Sequence, residues 1–187
     1  MSLEGKRPLV WILAVCLLSL VASYAAYIWW RPTQQMNHGE LLETRPLPAT
    51  VLQELGGRRF PFDTLRGRWL LLTVQSAACD PRCRQKLYFM RQVRTAQNEN
   101  MMRVERLWLL TGAGDPAPEV LVEQPGLIVA RLLDPAWLAA LPVRREAGEH
   151  IYLVDPLGNL VLRYNDESDA KGMLKDLLRL LKVSRIG

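Results

Sequence analysis

The 187-residue sequence is poor in the side chains on which most metal and disulfide chemistry depends. Three cysteines are too few for a disulfide-built miniprotein. Two histidines, His38 and His150, leave few imidazoles for a metal. Lysine is scarce too, with five against 19 arginines, and these cations are scattered and interrupted by acids. A nucleic-acid surface needs basic clusters interleaved with aromatics, and none is visible. There is no internal repeat, no low-complexity tract, no phosphate-binding glycine loop and no nucleophile–base pairing of a hydrolase or transferase. A mean hydropathy of −0.01 leaves room for little more than one membrane span. What remains is one globular domain with enough apolar material for a core.

The apolar residues are unevenly spread. From Pro8 to Trp30 no side chain is charged. About 20 such residues match a hydrocarbon core of ~30 Å. Tyr24, Tyr27, Trp29 and Trp30 gather at the far end, where amphipathic rings favour the headgroup layer. Lys6 and Arg7 precede the run, and Arg31 is the one basic residue close behind it. The positive-inside bias then places residues 1–8 in the cytoplasm, an anchor at 9–30, and everything beyond across the membrane. For a bacterium this is a single-pass inner-membrane protein facing the periplasm. A cleaved signal peptide, with Ala22, Ala25 and Ala26 available for processing, is the competing reading. Cys16 falls inside the span as a packing residue. Residues 31–46 are polar and aperiodic and read as a tether, leaving 47–187 as the folded domain.

In that domain strands and helices alternate. Val51–Leu55 and Arg59–Phe62 flank Gly56-Gly57 as a hairpin. Trp69–Val74 is a continuous apolar run, suited to a strand buried on both faces, and Val104–Thr111 reads as a second buried strand. Between them Leu87, Met90 and Val93 recur at helical spacing from Arg82 to about Asn98. Pro118–Glu123 and Pro135–Leu141 read as short helices around a short strand at Leu127–Leu132. Ile151–Val154 and Leu160–Tyr164 flank the turn sequence Asp155-Pro156-Leu157-Gly158-Asn159. Lys171–Leu181 closes the chain as an amphipathic helix with Leu174, Leu177, Leu178 and Leu181 on one side. A hairpin, a βαβ unit and a ββα ending are the order of an α/β, thioredoxin-like fold, in which helices flank a central mixed sheet.

The chemistry concentrates at Cys79-Asp80-Pro81-Arg82-Cys83, after a buried strand and at the start of a helix. Asp80 suits the N-cap, and Pro81 suits the first helical position. Cys83 then lies in the first turn with Cys79 just outside it. Cα atoms so placed are roughly 6 Å apart, within the range of a disulfide and close enough for both sulfurs to reach one soft metal ion. Free N–H groups at the helix start, with Arg82 and Arg84, favour thiolate. An inert structural disulfide, or two buried small residues, is the plain alternative. A five-residue ring, however, gains little from loop closure.

The extramembrane part resembles the Sco/SenC family of membrane-anchored thioredoxin-fold proteins, which assist copper delivery to the CuA centre of cytochrome c oxidase. Leu65-Arg66-Gly67-Arg68-Trp69 is similar to the family's lead-in, Cys79 and Cys83 reproduce its CxxxC, Thr111–Pro116 resembles its Asp-Pro stretch, and His150–Gly158 resembles its late strand and turn. The resemblance implies copper held by Cys79, Cys83 and an imidazole, for which His150 is the candidate. It implies cytochrome c oxidase subunit II, or another extracytoplasmic thiol or copper client, as partner. The family's prolines after the cysteines are here Asp80 and Arg84, and its histidine position falls near Ala147. Two alternatives stay open: a TlpA-like thiol–disulfide oxidoreductase, which is the enzymatic reading, and a thioredoxin-fold assembly protein that has lost the metal site.

Overall fold

The computed structural model describes residues 7–29, 37–143, 147–165, 169–184 and 186. It divides into two units, Met1–Met36 and Asn37–Gly187. In the first, helix α1 (Arg7–Trp29) has a 21-residue stretch, Leu9–Trp29, long and apolar enough to cross a membrane. The side chains of Leu9–Trp29 are exposed all round. Lys6, Trp30 and Arg31, on which the orientation argument draws, lie outside the described residues, as does most of 1–8.

The second unit is one eight-stranded mixed sheet in the order β1-β8-β7-β4-β5-β6-β2-β3. The strands are β1 (Glu40–Pro46), β2 (Val51–Glu54), β3 (Arg59–Pro61), β4 (Trp69–Ser76), β5 (Val104–Thr111), β6 (Ile128–Leu132), β7 (Ile151–Val154) and β8 (Asn159–Tyr164). The helices are α2 (Pro81–Thr95), α3 (Pro118–Val122) and α4 (Ala170–Val183). Strand β4 is central, parallel to β5 and antiparallel to β7. Its first six residues are all buried because both faces are covered, so its sequence there is apolar but for Thr73 rather than alternating.

Two cores follow from strand alternation. On one face Trp69, Leu71, Trp108, Ile151 and Leu153 pack with Leu87, Met90 and Val93 of α2 and Met173, Leu177 and Leu181 of α4. On the other, Leu70, Leu72, Val74, Leu107, Leu109 and Tyr152 pack against Phe62 and Trp137. Phe62 and Trp137 belong to short 3₁₀ turns at Phe62–Leu65 and Pro135–Ala140. Their rings lie 5.4 Å apart.

Two expectations are corrected here. The tether does not reach residue 46: its second half is β1, paired antiparallel with β8. Edge strands need only one apolar face, and β1 carries polar side chains along most of its length. Helix α4 buries Met173, Leu177 and Leu181, an i, i+4 row, whereas Leu178 is 43% exposed. The buried stripe is therefore rotated from the one centred on Leu174 and Leu178, and it brings Asp176 inside.

Candidate functional site

The site is built where β4 hands over to α2. Asp80 is the N-cap, and its carboxylate accepts the Cys83 N–H at 2.8 Å. Pro81 occupies the first turn, where a missing N–H costs nothing. Cys79 lies just outside the helix with φ at +39°, and its N–H donates to the Ser76 carbonyl at 3.2 Å. A non-glycine residue in that region costs of order 1 kcal/mol and persists only where its surroundings impose it.

Cys79 and Cys83 are joined as a disulfide with Cα atoms 5.1 Å apart. Both are buried, packed with Ala77, Leu87 and Ile151 in the core layer under α2. The charges around the pair are mixed. The Asp80 carboxylate uses the N–H that would otherwise stabilise a Cys83 thiolate, while exposed Arg82 and Arg84 flank Cys83 on the same turn.

One participant was not anticipated. Lys86, three residues beyond Cys83, is buried on the same helix face and donates to the Gly148 carbonyl at 2.7 Å. The Gln75 side chain donates to the same carbonyl. Gly148 belongs to a short turn, Ala147–Glu149, that leads into β7. A Cβ added there would come within 3.2 Å of the Val74 carbonyl, so glycine lets this turn press against the end of β4. The turn is thus tied to the end of β4 and to α2, the two elements that flank the Cys79 loop. Lysine at the i+3 position from Cys83, beside the apolar row Leu87, Met90 and Val93, was the signal available in the sequence.

His150 is not part of this cluster. Its ring packs edge-on against Tyr152, centroids 5.7 Å apart, and Tyr152 belongs to the opposite core layer. Ile151, between them, belongs with the cysteines. Adjacent residues of a strand face opposite ways, so Ile151 packs in the core layer that holds the two cysteines and Tyr152 in the other, with the His150 ring beside it. Burial pushes the Tyr152 phenol up to about 12, opposed by Arg163 and reinforced by Glu149. It stays a neutral donor, to the Pro142 carbonyl at 3.1 Å.

Among the described residues no three His, Cys, Asp or Glu side chains converge where a metal could sit. The soft donors that do stand side by side are the two sulfurs. Met90 lies in the core row of α2, and Met102 is exposed. His38 is held by Asp176 at the start of the domain.

A protein-family profile described as "transmembrane-like, thioredoxin-like, C-terminal domain" matches residues 69–184. The chain belongs to that family. Solved structures extend the likeness to the whole domain. Yeast Sco1 with copper bound is 16% identical, covers 76% of this chain and 96% of its own, and superposes with a TM-score of 0.66. BsSco, a member of the Sco family of cytochrome c oxidase assembly proteins in which a disulfide switch was identified, is 14% identical over 81% of this chain and 100% of its own, with a TM-score of 0.57. The thioredoxin domain of a thiol–disulfide oxidoreductase from Bacteroides vulgatus is 18% identical over 74% and 98%, with a TM-score of 0.57. No curated protein sequence matches the chain. At these identities the likeness is one of fold. This transmembrane-like thioredoxin-like protein shares its fold with the Sco structures and with the oxidoreductase domain, and the thioredoxin-like fold is the one read from the sequence.

His150 separates the ligand reading from the packing reading in one variant. His150→Ala leaves the reduction potential of the Cys79–Cys83 pair and any copper retention unchanged. It lowers stability by about 1–2 kcal/mol, the ordinary cost of emptying a buried position. A denaturation midpoint and a redox titration on the same preparation check both halves.

Proposed function

We propose that this chain is a membrane-anchored, extracytoplasmic Sco-like thiol protein that assists assembly of the CuA centre of cytochrome c oxidase, with subunit II as client. The observation that carries the reading is the Cys79–Cys83 disulfide at the loop-to-helix junction after β4. Closing a five-residue ring contributes only about 2 kcal/mol by chain entropy, less than longer rings do. A working redox couple accounts better for a pair in this place.

The exchange balances as follows. One thiolate of the reduced pair attacks a client disulfide, the client S–S bond breaks, a mixed disulfide forms, and the departing client thiolate takes a proton. The second thiolate attacks the mixed disulfide, releasing the client dithiol and restoring Cys79–Cys83. Two electrons pass to the client, and an extracytoplasmic dithiol donor returns them. Reduced, the same two sulfurs suit Cu(I), for which thiolates are the preferred soft donors, as cargo for the client's own cysteines. The far-face placement of His150 favours a second reading, a TlpA-like oxidoreductase that carries no copper.

Deleting the gene tests the reading in the cell. CuA content of the oxidase falls and is restored by the wild-type chain but not by a Cys79→Ser, Cys83→Ser double variant. An unchanged CuA content would remove the oxidase from the account. Copper retained by the anaerobically reduced protein supports the cargo reading, and disulfide reduction without copper retention supports the second. Lys6-Arg7 before the span supports an N-in orientation. A periplasm-active reporter fused after Gly187 is then active, and activity of a cytoplasmic reporter instead would reverse it.

A further inference from the structure

A cleft of about 280 Å³ opens between α2, β7 and α4, with Arg82 of the CxxxC segment in its wall. Arg82, Gln85, Lys86 and Phe89 form one wall, a single face of α2 at helical spacing; Ile151 and Met173 form the apolar floor. Arg82 stands inside the Cys79–Cys83 ring, and Ile151 and Met173 share the core layer of the two cysteines. The cleft therefore adjoins the redox pair through Arg82, the residue before Cys83, while the two buried cysteines are not among its lining residues.

Among its described lining residues the charged side chains are Arg82 and Lys86, both cations. Helix α2 carries five cations, Arg82, Arg84, Lys86, Arg91 and Arg94, and no acid. Arg82 is exposed, and no ion pair to it is found among the described residues. Lys86 places a buried ammonium beside the same space. The one nearby acid in the helix cap, Asp80, is already engaged by the Cys83 N–H. The positive end of the helix adds to the same field.

We infer that this cleft receives an acidic side chain of an extended client segment, so that the client cysteine next to it is presented to Cys79–Cys83. The exposed Arg82 guanidinium above an apolar floor forms a site for a carboxylate on a short aliphatic stem, and Lys86, whose ammonium is engaged by the Gly148 carbonyl, adds its positive charge to the field. The inference deepens the proposed function, because it names what distinguishes the client of that site. It concerns binding alone, so it stands or falls apart from the redox reading.

The test uses the full chain in detergent and two ten-residue peptides with serine in place of the client cysteine, which cannot exchange. One carries Glu on both sides of the serine and the other carries Lys. At low salt the Glu peptide binds about tenfold tighter or more, the effect of one good charge-assisted contact. Its amide shift changes centre on Gln85, Phe89 and Asn165. Arg82→Glu reverses the preference and lies at an exposed position, so folding is kept. Arg84→Glu, on the same turn but outside the cleft, changes affinity less than threefold. Equal binding of the two peptides would overturn the inference. So would equal effects of the two charge reversals, since the preference would then be a diffuse field rather than a site. If the Glu peptide binds but the cysteines prove redox-inert, the cleft stands and the proposed exchange falls.

Discussion

Cys79→Ser and Cys83→Ser each stop disulfide reduction by the reduced protein, with turnover falling by at least about 10³-fold. The size of the effect comes from the second sulfur. A thiol held within disulfide reach of a mixed disulfide has an effective concentration orders of magnitude above that of any external thiol, and one serine removes that advantage. Copper retention, where the reduced wild type shows it, is lost in both variants, because a single thiolate is left to bind it. Both positions are buried, so each variant is paired with its alanine counterpart. A hydroxyl without a partner costs stability that alanine does not, whereas the loss of exchange is common to both. Turnover that survives in either single variant would show that the two sulfurs do not work as a couple.

Asp176→Ala lowers the stability of the folded unit by about 3 kcal/mol, the largest loss expected outside the core. Asp176 is 1% exposed on α4. Its carboxylate accepts the His38 N–H at 2.8 Å, the Gly39 N–H at 2.8 Å and the Tyr164 hydroxyl at 3.3 Å. Truncation leaves two backbone donors without their acceptor where the chain enters β1. Gly172 permits this approach, since a Cβ there would lie 2.8 Å from the His38 side chain. Tyr164→Phe removes only the longest of these contacts and costs less than about 1 kcal/mol. Denaturant midpoints of the two variants beside wild type check the contrast. Equal losses would mean that the tyrosine, rather than the backbone of residues 38–39, is what Asp176 holds.

The sequence was most legible where burial is complete. Strand β4 is apolar but for Thr73 over its six buried residues, and β5 is apolar from Leu107 to Leu110, because both faces are covered there. The start of α2 is written in Asp80 and Pro81, whose side chains can do little else as well. The CxxxC needed only that helix start to become a pair within bonding distance. Strand β1 escaped notice because an edge strand of polar residues has no hydrophobic period, and its anchor is a carboxylate about 135 residues away in the chain. Lys86 escaped because a lysine is read as solvated unless something covers it, and here the turn before β7 supplies the cover. His150 is the site residue whose role the sequence leaves open. Its sequence neighbourhood resembles the family's ligand strand, but strand parity decides which face a side chain takes. Ile151 had already claimed the face toward the sulfurs.

The reduction potential of Cys79–Cys83 tests the central claim, that the pair is a working couple, most directly. The full chain in detergent is equilibrated in thiol buffers of graded potential, and the free thiols are trapped and counted. Circular dichroism is recorded across the same series. The account predicts a midpoint above about −300 mV, with the fold intact on both sides of it. A midpoint below about −300 mV, with the domain unfolding as the bond is reduced, is the behaviour of a structural disulfide and would contradict it.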